Sequence, residues 1–457
     1  MMLALGLLHA LLLGAAVMAW LWDWRGRGAL LVGLSLTPLI GLATVAAIEM
    51  VLLACEVRGG WTWWTAQGAA AVIAILVLAW SARRGSLAGI AARVTTLPWP
   101  TQAWLAAAVV VAGPMVLGVA MATRLFPYGR WDGWAIWNLR SSFLFLADER
   151  WRDAFAPALY WSHPDYPLLL PMTVLRLLRW IGHDTTLAAR VVTTLFTALL
   201  CWNAWVLVWS KRGAIWATAV LAVLVLMRTF VEVAHAQMAD IPLATFLLAA
   251  IYMLTEVLER RDAGWRRWLM LGLLTGAAAW TKNEGLSLAA ALTLMATLGC
   301  LLRRQWRPVG WLAPGLSLFL ALIAWQRLHW HGSSDVVNPQ TGQRLLEHLF
   351  SERHLIIWEV TGRQLAIDSR ALWASGALLL AAALAGCTRS GPTRRAVLLA
   401  GGALALHAGA CYVVYLGTHN DVGWHVQESV NRLALQVWPS LLLLLTLWSR
   451  PVRWRTP

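Results

Sequence analysis

The stretch Pro167–Trp180, PLLLPMTVLRLLRW, decides how the rest of the chain is threaded. It is apolar and looks long enough for a membrane span, yet Arg176 and Arg179 stand three apart, which puts them on one helical face. Counted as a span, it would invert everything after it and carry Lys211, Arg212, Arg260, Arg261, Arg266 and Arg267 across the bilayer. Short loops rich in Lys and Arg resist translocation. The stretch is therefore read as a helix lying in the interface, its arginines snorkelling toward lipid headgroups.

Around it the composition is that of a polytopic, all-α membrane protein. Hydrophobic residues make up 60% of 457 residues and charged ones 13%, against about 25% charged in a soluble average. Mean hydropathy is +0.62. Apolar runs long enough to cross a core of about 30 Å recur from end to end. About thirteen spans are expected, at 3–21, 29–54, 62–81, 103–123, 184–210, 213–231, 240–258, 265–281, 285–302, 309–329, 371–387, 396–416 and 434–449. The first carries no preceding basic residue and is followed by Trp20, Trp22 and Trp24, like an interfacial belt, so it is read as a span rather than a secretion signal. Cys55, Cys201, Cys300, Cys387 and Cys411 show no metal or redox spacing and are read as packing residues. The formal charge of +15 sits on arginines dispersed in short loops. That pattern orients a membrane protein and does not mark a nucleic-acid partner.

The charge rule puts Arg25 and Arg27, Arg83 and Arg84, Lys211 and Arg212, the group from Arg260 to Arg267, Arg303 and Arg304, Arg394 and Arg395 and the tail Arg450–Arg455 on the cytoplasmic side. The opposite side receives 124–183, 330–370, 417–433 and the turns near Glu232–Asp240 and Lys282–Glu284. Three segments follow: extra helices over 1–100, a central module over 101–300 with its large external loop, and C-terminal helices over 301–457.

Nearly every acidic residue or histidine near an apolar run falls on that external side, where a carboxylate must be compensated or useful. Asp132 leads, in WDGW. There Gly133 would let the backbone turn, while Trp131, Trp134 and Trp137 anchor the loop. A carboxylate in such a half-dry cleft suits a general base; an ordinary loop aspartate is the alternative. In HPDYP, Pro164 and Pro167 stiffen the chain, so that His163 and Asp165 are held at the surface, His163 for a phosphate, a sugar hydroxyl or a metal, or the two as a structural pair. Glu232 and His235 share a helical face, and Asp240 opens the next span as a site residue or as an N-cap. In TKNEG, Lys282 is positioned for an anionic ligand or for Glu284. Asp421, His419, His425 and Arg432 crowd the last external turn, where Arg432 suits a lipid phosphate or plain interfacial snorkelling. Asp132, Asp240, Glu232 and His235 could also gather round a divalent ion.

Taken in order, WDGWAIWNLR, HPDYPLLLP, LAARVVTTLF with Arg190, ADIPLATFLLAAIYM and AWTKNEG resemble the polyprenol-dependent glycosyltransferases of the GT-C superfamily, which includes protein O-mannosyltransferases and aminoarabinose transferases. The resemblance covers roughly 124–290. It implies a GT-C-like bundle and an inverting transfer from a polyprenyl-phosphate-linked sugar to a hydroxyl on a glycan, lipid or protein. Asp132 would be the base. Arg190, Arg432, Lys282 and His163 would meet the donor phosphate, beside Asp165 and Asp240. Many relatives carry two adjacent acids where Asp132 is followed by Gly133, which leaves a second acid unassigned. A bacterial inner membrane, with the site facing the periplasm, is the expected location. A transporter or flippase of lipid-linked glycans is the rival reading; it calls for ionisable groups within spans, whereas here they cluster at span ends.

Overall fold

The computed structural model describes residues 1–24, 27–85, 87, 90, 94, 98–330 and 340–450. Arg25, residues 331–339 of the region expected to be external and the tail 451–455 lie outside them. Among these residues, helices α1 (Met2–Leu21), α2 (Arg27–Ala54), α3 (Gly60–Arg83) and α4 (Trp99–Leu125) precede a long connection that holds α5 (Leu139–Leu146) and α6 (Leu169–Ile181). Next come α7 (Thr186–Arg212), α8 (Ala214–Leu226), α9 (Arg228–Ala234), α10 (Asp240–Glu259), α11 (Trp265–Thr281), α12 (Asn283–Leu301) and α13 (Leu312–His329). The chain closes with α14 (Thr341–His348), α15 (Arg353–Ile367), α16 (Ser369–Ala385), α17 (Gly391–Gly417) and α18 (Val422–Trp448). Among the described residues there is no strand.

Ten of these helical runs are long and apolar enough to cross a membrane, and twelve if each of two bent pairs counts as one span. The protein is an integral membrane protein. The expected span at 265–281 forms as α11, but its 17 residues fall just short of that length. The expected span at 213–231 is broken instead of straight: α8 and α9 meet at 71°. The second bent pair, α15 and α16, meets at 86°. One carboxylate stitches both breaks. Asp368, between α15 and α16, accepts the backbone N–H groups of Arg228 and Thr229 at 2.9 Å each. These are orphan donors at the start of α9, which any helix N-terminus must satisfy.

At the centre stands α10, buried from Asp240 to Leu258, with α7, α11, α12, α17 and α18 packed around it. Apolar on every side, it has the pattern of a helix that sees only protein. The charges sort to the bundle's two ends. At one end Lys211 pairs with Glu256 and Glu259, Arg260 with Glu256, and Arg212 donates to the Thr446 carbonyl at 2.8 Å. At the other lie the connection 126–168, the α9–α10 turn, the Lys282 turn and the start of α18.

The stretch that opened the reading behaves differently from expectation. With 13 residues, α6 is too short to span, but its arginines do not snorkel to headgroups. Leu169 to Arg179 are all buried, and Arg176 and Arg179 point into the protein at Glu49 of α2. Arg176 also donates to Gln67 Oε1 and lies beside His9 Nδ1, each at 2.6 Å. Burial lowers the Arg176 pKa to about 10, against the pull of Glu49. A carboxylate inside α2 offers the two guanidiniums a better partner than a distant headgroup, and it helps tie α1, α2 and α3 to the long connection. Of the cysteines read as packing residues, Cys201 and Cys300 are buried and Cys411 is half-buried, whereas Cys55 and Cys387 are exposed.

Candidate active site

The loop carrying Asp132 is held by backbone contact with the α9–α10 turn. Gly129, at φ +76°, reverses the chain. The next N–H, from Arg130, donates to the Ala236 carbonyl at 3.1 Å. A Cβ on either Gly129 or Gly133 would collide with that same carbonyl oxygen. Gly133 is therefore needed for close approach and not, as expected, for a turn: it opens a π-helical segment, Gly133–Asn138. Gln237 completes the seam. Its amide nitrogen donates to the Pro127 carbonyl at 3.0 Å, and its oxygen accepts from Asn138 at 2.6 Å.

This docking brings Asp132 to the head of α10 and α18, where a chain of alternating charges runs inward. Arg432 Nη1 lies 2.7 Å from Asp132 Oδ2, and its Nη2 lies 3.0 Å from Asp240 Oδ2. Asp240 Oδ1 accepts from Lys282 at 3.1 Å and from Gln436 at 2.6 Å. Lys282 turns its remaining reach to Glu284, 2.7 Å away. Asp240 is wholly buried, yet its two oxygens accept from three side chains, which is what keeps a buried carboxylate tolerable. The N-cap alternative for Asp240 is thereby replaced: Ala239 stands at that position and Asp240 points into the network. Three carboxylates face two cations. An anion that binds Arg432 or Lys282 must therefore share or exchange one of these bonds.

HPDYP forms the adjoining wall. Arg140, buried on α5, donates to the carbonyls of Ser162 and His163 at 3.0 and 3.1 Å. Burial lowers its pKa to about 10, with Asp165 acting in the opposite sense. The grip holds His163 at φ +49°, a conformation costly for a residue with a side chain. The His163 ring stacks on Tyr166 at 4.9 Å. Burial, then the carboxylates of Glu284 and Asp165, push the Tyr166 hydroxyl well above its ordinary pKa, so it remains a hydrogen-bond donor. Asp165 Oδ2 accepts from Asn283 at 2.7 Å, which ties this wall to the Lys282 turn.

Together these groups line a cavity of about 810 Å³ to which Asp132, His163, Tyr166, Glu232, Lys282, Glu284 and Arg432 contribute. The structure thus gathers Asp132, Asp240, Lys282 and Arg432 into one network and sets His163 and Asp165 beside it. It does not bring Arg190 there: Arg190 sits in the first turns of α7, off the cavity lining. Nor does it assemble the four metal candidates. Glu232 pairs with Arg228 at 2.7 Å, and His235 turns its Nδ1 to the Val231 carbonyl. Among the described residues no three His, Cys, Asp or Glu side chains are grouped to hold an ion. Sequence reasoning missed Gln436, Tyr166, Arg140 and Gln237. Only Gln436 had a clear signal, four residues after Arg432 and hence on the same helical face.

No curated protein and no solved structure matches the chain. A family profile does, over a segment that includes His163, Asp165, Arg190, Asp240 and Lys282 and leaves Asp132 and Arg432 outside. Residues 162–326 match the family described as dolichyl-phosphate-mannose-protein mannosyltransferase, a polyprenyl-phosphate-dependent glycosyltransferase family of the GT-C superfamily.

Proposed function

We propose that this protein is an inverting glycosyltransferase that moves a sugar from a polyprenyl-phosphate donor to an acceptor hydroxyl at the external face of a bacterial inner membrane. The observation that carries the reading is the Asp132–Arg432–Asp240–Lys282 chain at the wall of the cavity. Asp132, whose side chain is 24% exposed, is the carboxylate at the outer end of that chain. It takes the acceptor proton as the acceptor oxygen bonds to the anomeric carbon. On the opposite face the bond from that carbon to the phosphate oxygen breaks, and the lipid phosphate leaves with the electron pair. Arg432 meets the growing charge by exchanging its contact with Asp132 for one with phosphate, while Asp240 and Gln436 keep its neighbourhood fixed. Such preorganised cations act strongly in a water-poor cleft. Lys282 and the His163 ring support the phosphate from the adjoining wall.

The arginine-rich end of the bundle supports a cytoplasmic placement of that end, and hence a periplasmic cavity. Proteoliposomes supplied with a polyprenyl-phosphate sugar and an envelope extract as acceptor source test the reading. Transfer releases free polyprenyl phosphate and labels the extract. A flippase leaves the donor intact on the other leaflet, and that result would overturn the proposal.

A further inference from the structure

The wall outside Asp132 carries aromatic rings that the transfer chemistry does not use. Trp131 and Trp134 meet edge to face at 4.8 Å, and Trp161 stands 6.4 and 6.5 Å from them. All three are exposed, Trp131 at 60%. An interfacial anchor turns its ring to lipid. Trp131 instead lines the polar cavity beside Asp132. Other segments of the lining supply neutral amides, Gln364, Asn420, Gln427 and Asn431. Asn431 donates to Gln364 at 3.0 Å, and each amide keeps a further donor and acceptor to offer, which matches a hydroxyl, itself both.

We propose that the acceptor is a carbohydrate, one pyranose ring of which lies on Trp131 while its hydroxyls meet the amides. This rests on the transferase reading and names the acceptor class for the same site. A sugar ring has an apolar face of C–H groups and a rim of hydroxyls, and an indole face next to an amide wall complements both. The ring on Trp131 is the acceptor's and not the donor's because Trp131 is 60% exposed, whereas the cations that meet the donor phosphate, Arg432 and Lys282, are 21% and 5% exposed and so sit deeper. A single displacement needs the nucleophile on the side away from that phosphate. A cavity of about 810 Å³ is at the large end of the usual range for small-molecule sites, with room for two sugars in line.

Saturation-transfer NMR on the full chain in nanodiscs tests this, with methyl mannoside, glucoside and galactoside as one set of probes and a short acetylated Ser/Thr peptide as the other. The expected result is saturation on the carbon-bound ring protons of at least one glycoside and none on the peptide. Trp131→Ala should weaken that glycoside's binding by roughly tenfold, as loss of a stacking partner does. Trp131→Phe should retain most of it and so show that the fold is intact. Saturation of the peptide but of no glycoside, or a glycoside signal indifferent to Trp131→Ala, overturns the proposal. Since the readout is binding, either of those failures leaves the release of lipid phosphate untouched, whereas failure of that release strikes the transferase reading itself.

Discussion

The carboxylate–arginine networks around Glu49 and around Asp240 differ in one respect that separates a scaffold from a candidate site. Around Glu49 the partners are Arg176, Arg179 and Trp63, the last donating at 3.2 Å, and the Glu49 and Arg176 side chains are 0% and 1% exposed. Around Asp240 the partners are equally close, but the network continues through Arg432 to Asp132, at 21% and 24% exposure, on a cavity wall. Both satisfy buried charge. Only the second opens onto a cavity. A sealed network can do no more than hold helices in place, whereas an open one can trade a bond with a ligand and recover it.

The comparison can be broken by substitutions that should act differently on stability and turnover. Glu49→Ala should have the largest effect on folding, about 3–5 kcal/mol, because it leaves two buried guanidiniums without their carboxylate; a fall in the detergent unfolding midpoint checks it. Arg432→Gln should act mainly on turnover, lowering sugar transfer by about 10²–10³-fold as the loss of a charge-stabilising donor does. Its midpoint should fall less than that of Glu49→Ala, since Asp240 keeps Lys282 and Gln436. Gly133→Ala forces the Asp132 loop off the Ala236 carbonyl. It should cost transfer about tenfold through misplacement of the base, measured as kcat against an unchanged donor KM. Arg190→Gln lies outside both networks and should alter transfer by less than about threefold, a change of the size ordinary substitutions produce.

Much of this architecture was legible because the bilayer forces it: runs of apolar length had to become helices, and dispersed arginines had to sort to one end. Asp132, Asp240, Lys282 and Arg432 were legible for the same reason, as ionisable groups at span ends on one side. Their mutual pairing was not, since it depends on helix order around α10, which no spacing encodes. The Glu49 network shows the limit most clearly. The three-residue interval of Arg176 and Arg179 specified a shared face but not what that face meets, and headgroups and a buried carboxylate are equally good partners on charge alone. Glu49, a lone acid within an apolar span, was itself the available signal. The role of Gly133 was misjudged because a glycine needed for close approach and one needed for a turn look alike in sequence; only the position of Ala236 tells them apart.

The measurement that bears most directly on the role of Asp132 is the rate of sugar transfer by Asp132→Asn, read beside its unfolding midpoint. If Asp132 is the proposed general base, its removal with the shape kept should lower transfer by about 10²–10⁴-fold and leave the midpoint close to that of the unaltered protein. Transfer at near the unaltered rate would contradict the account.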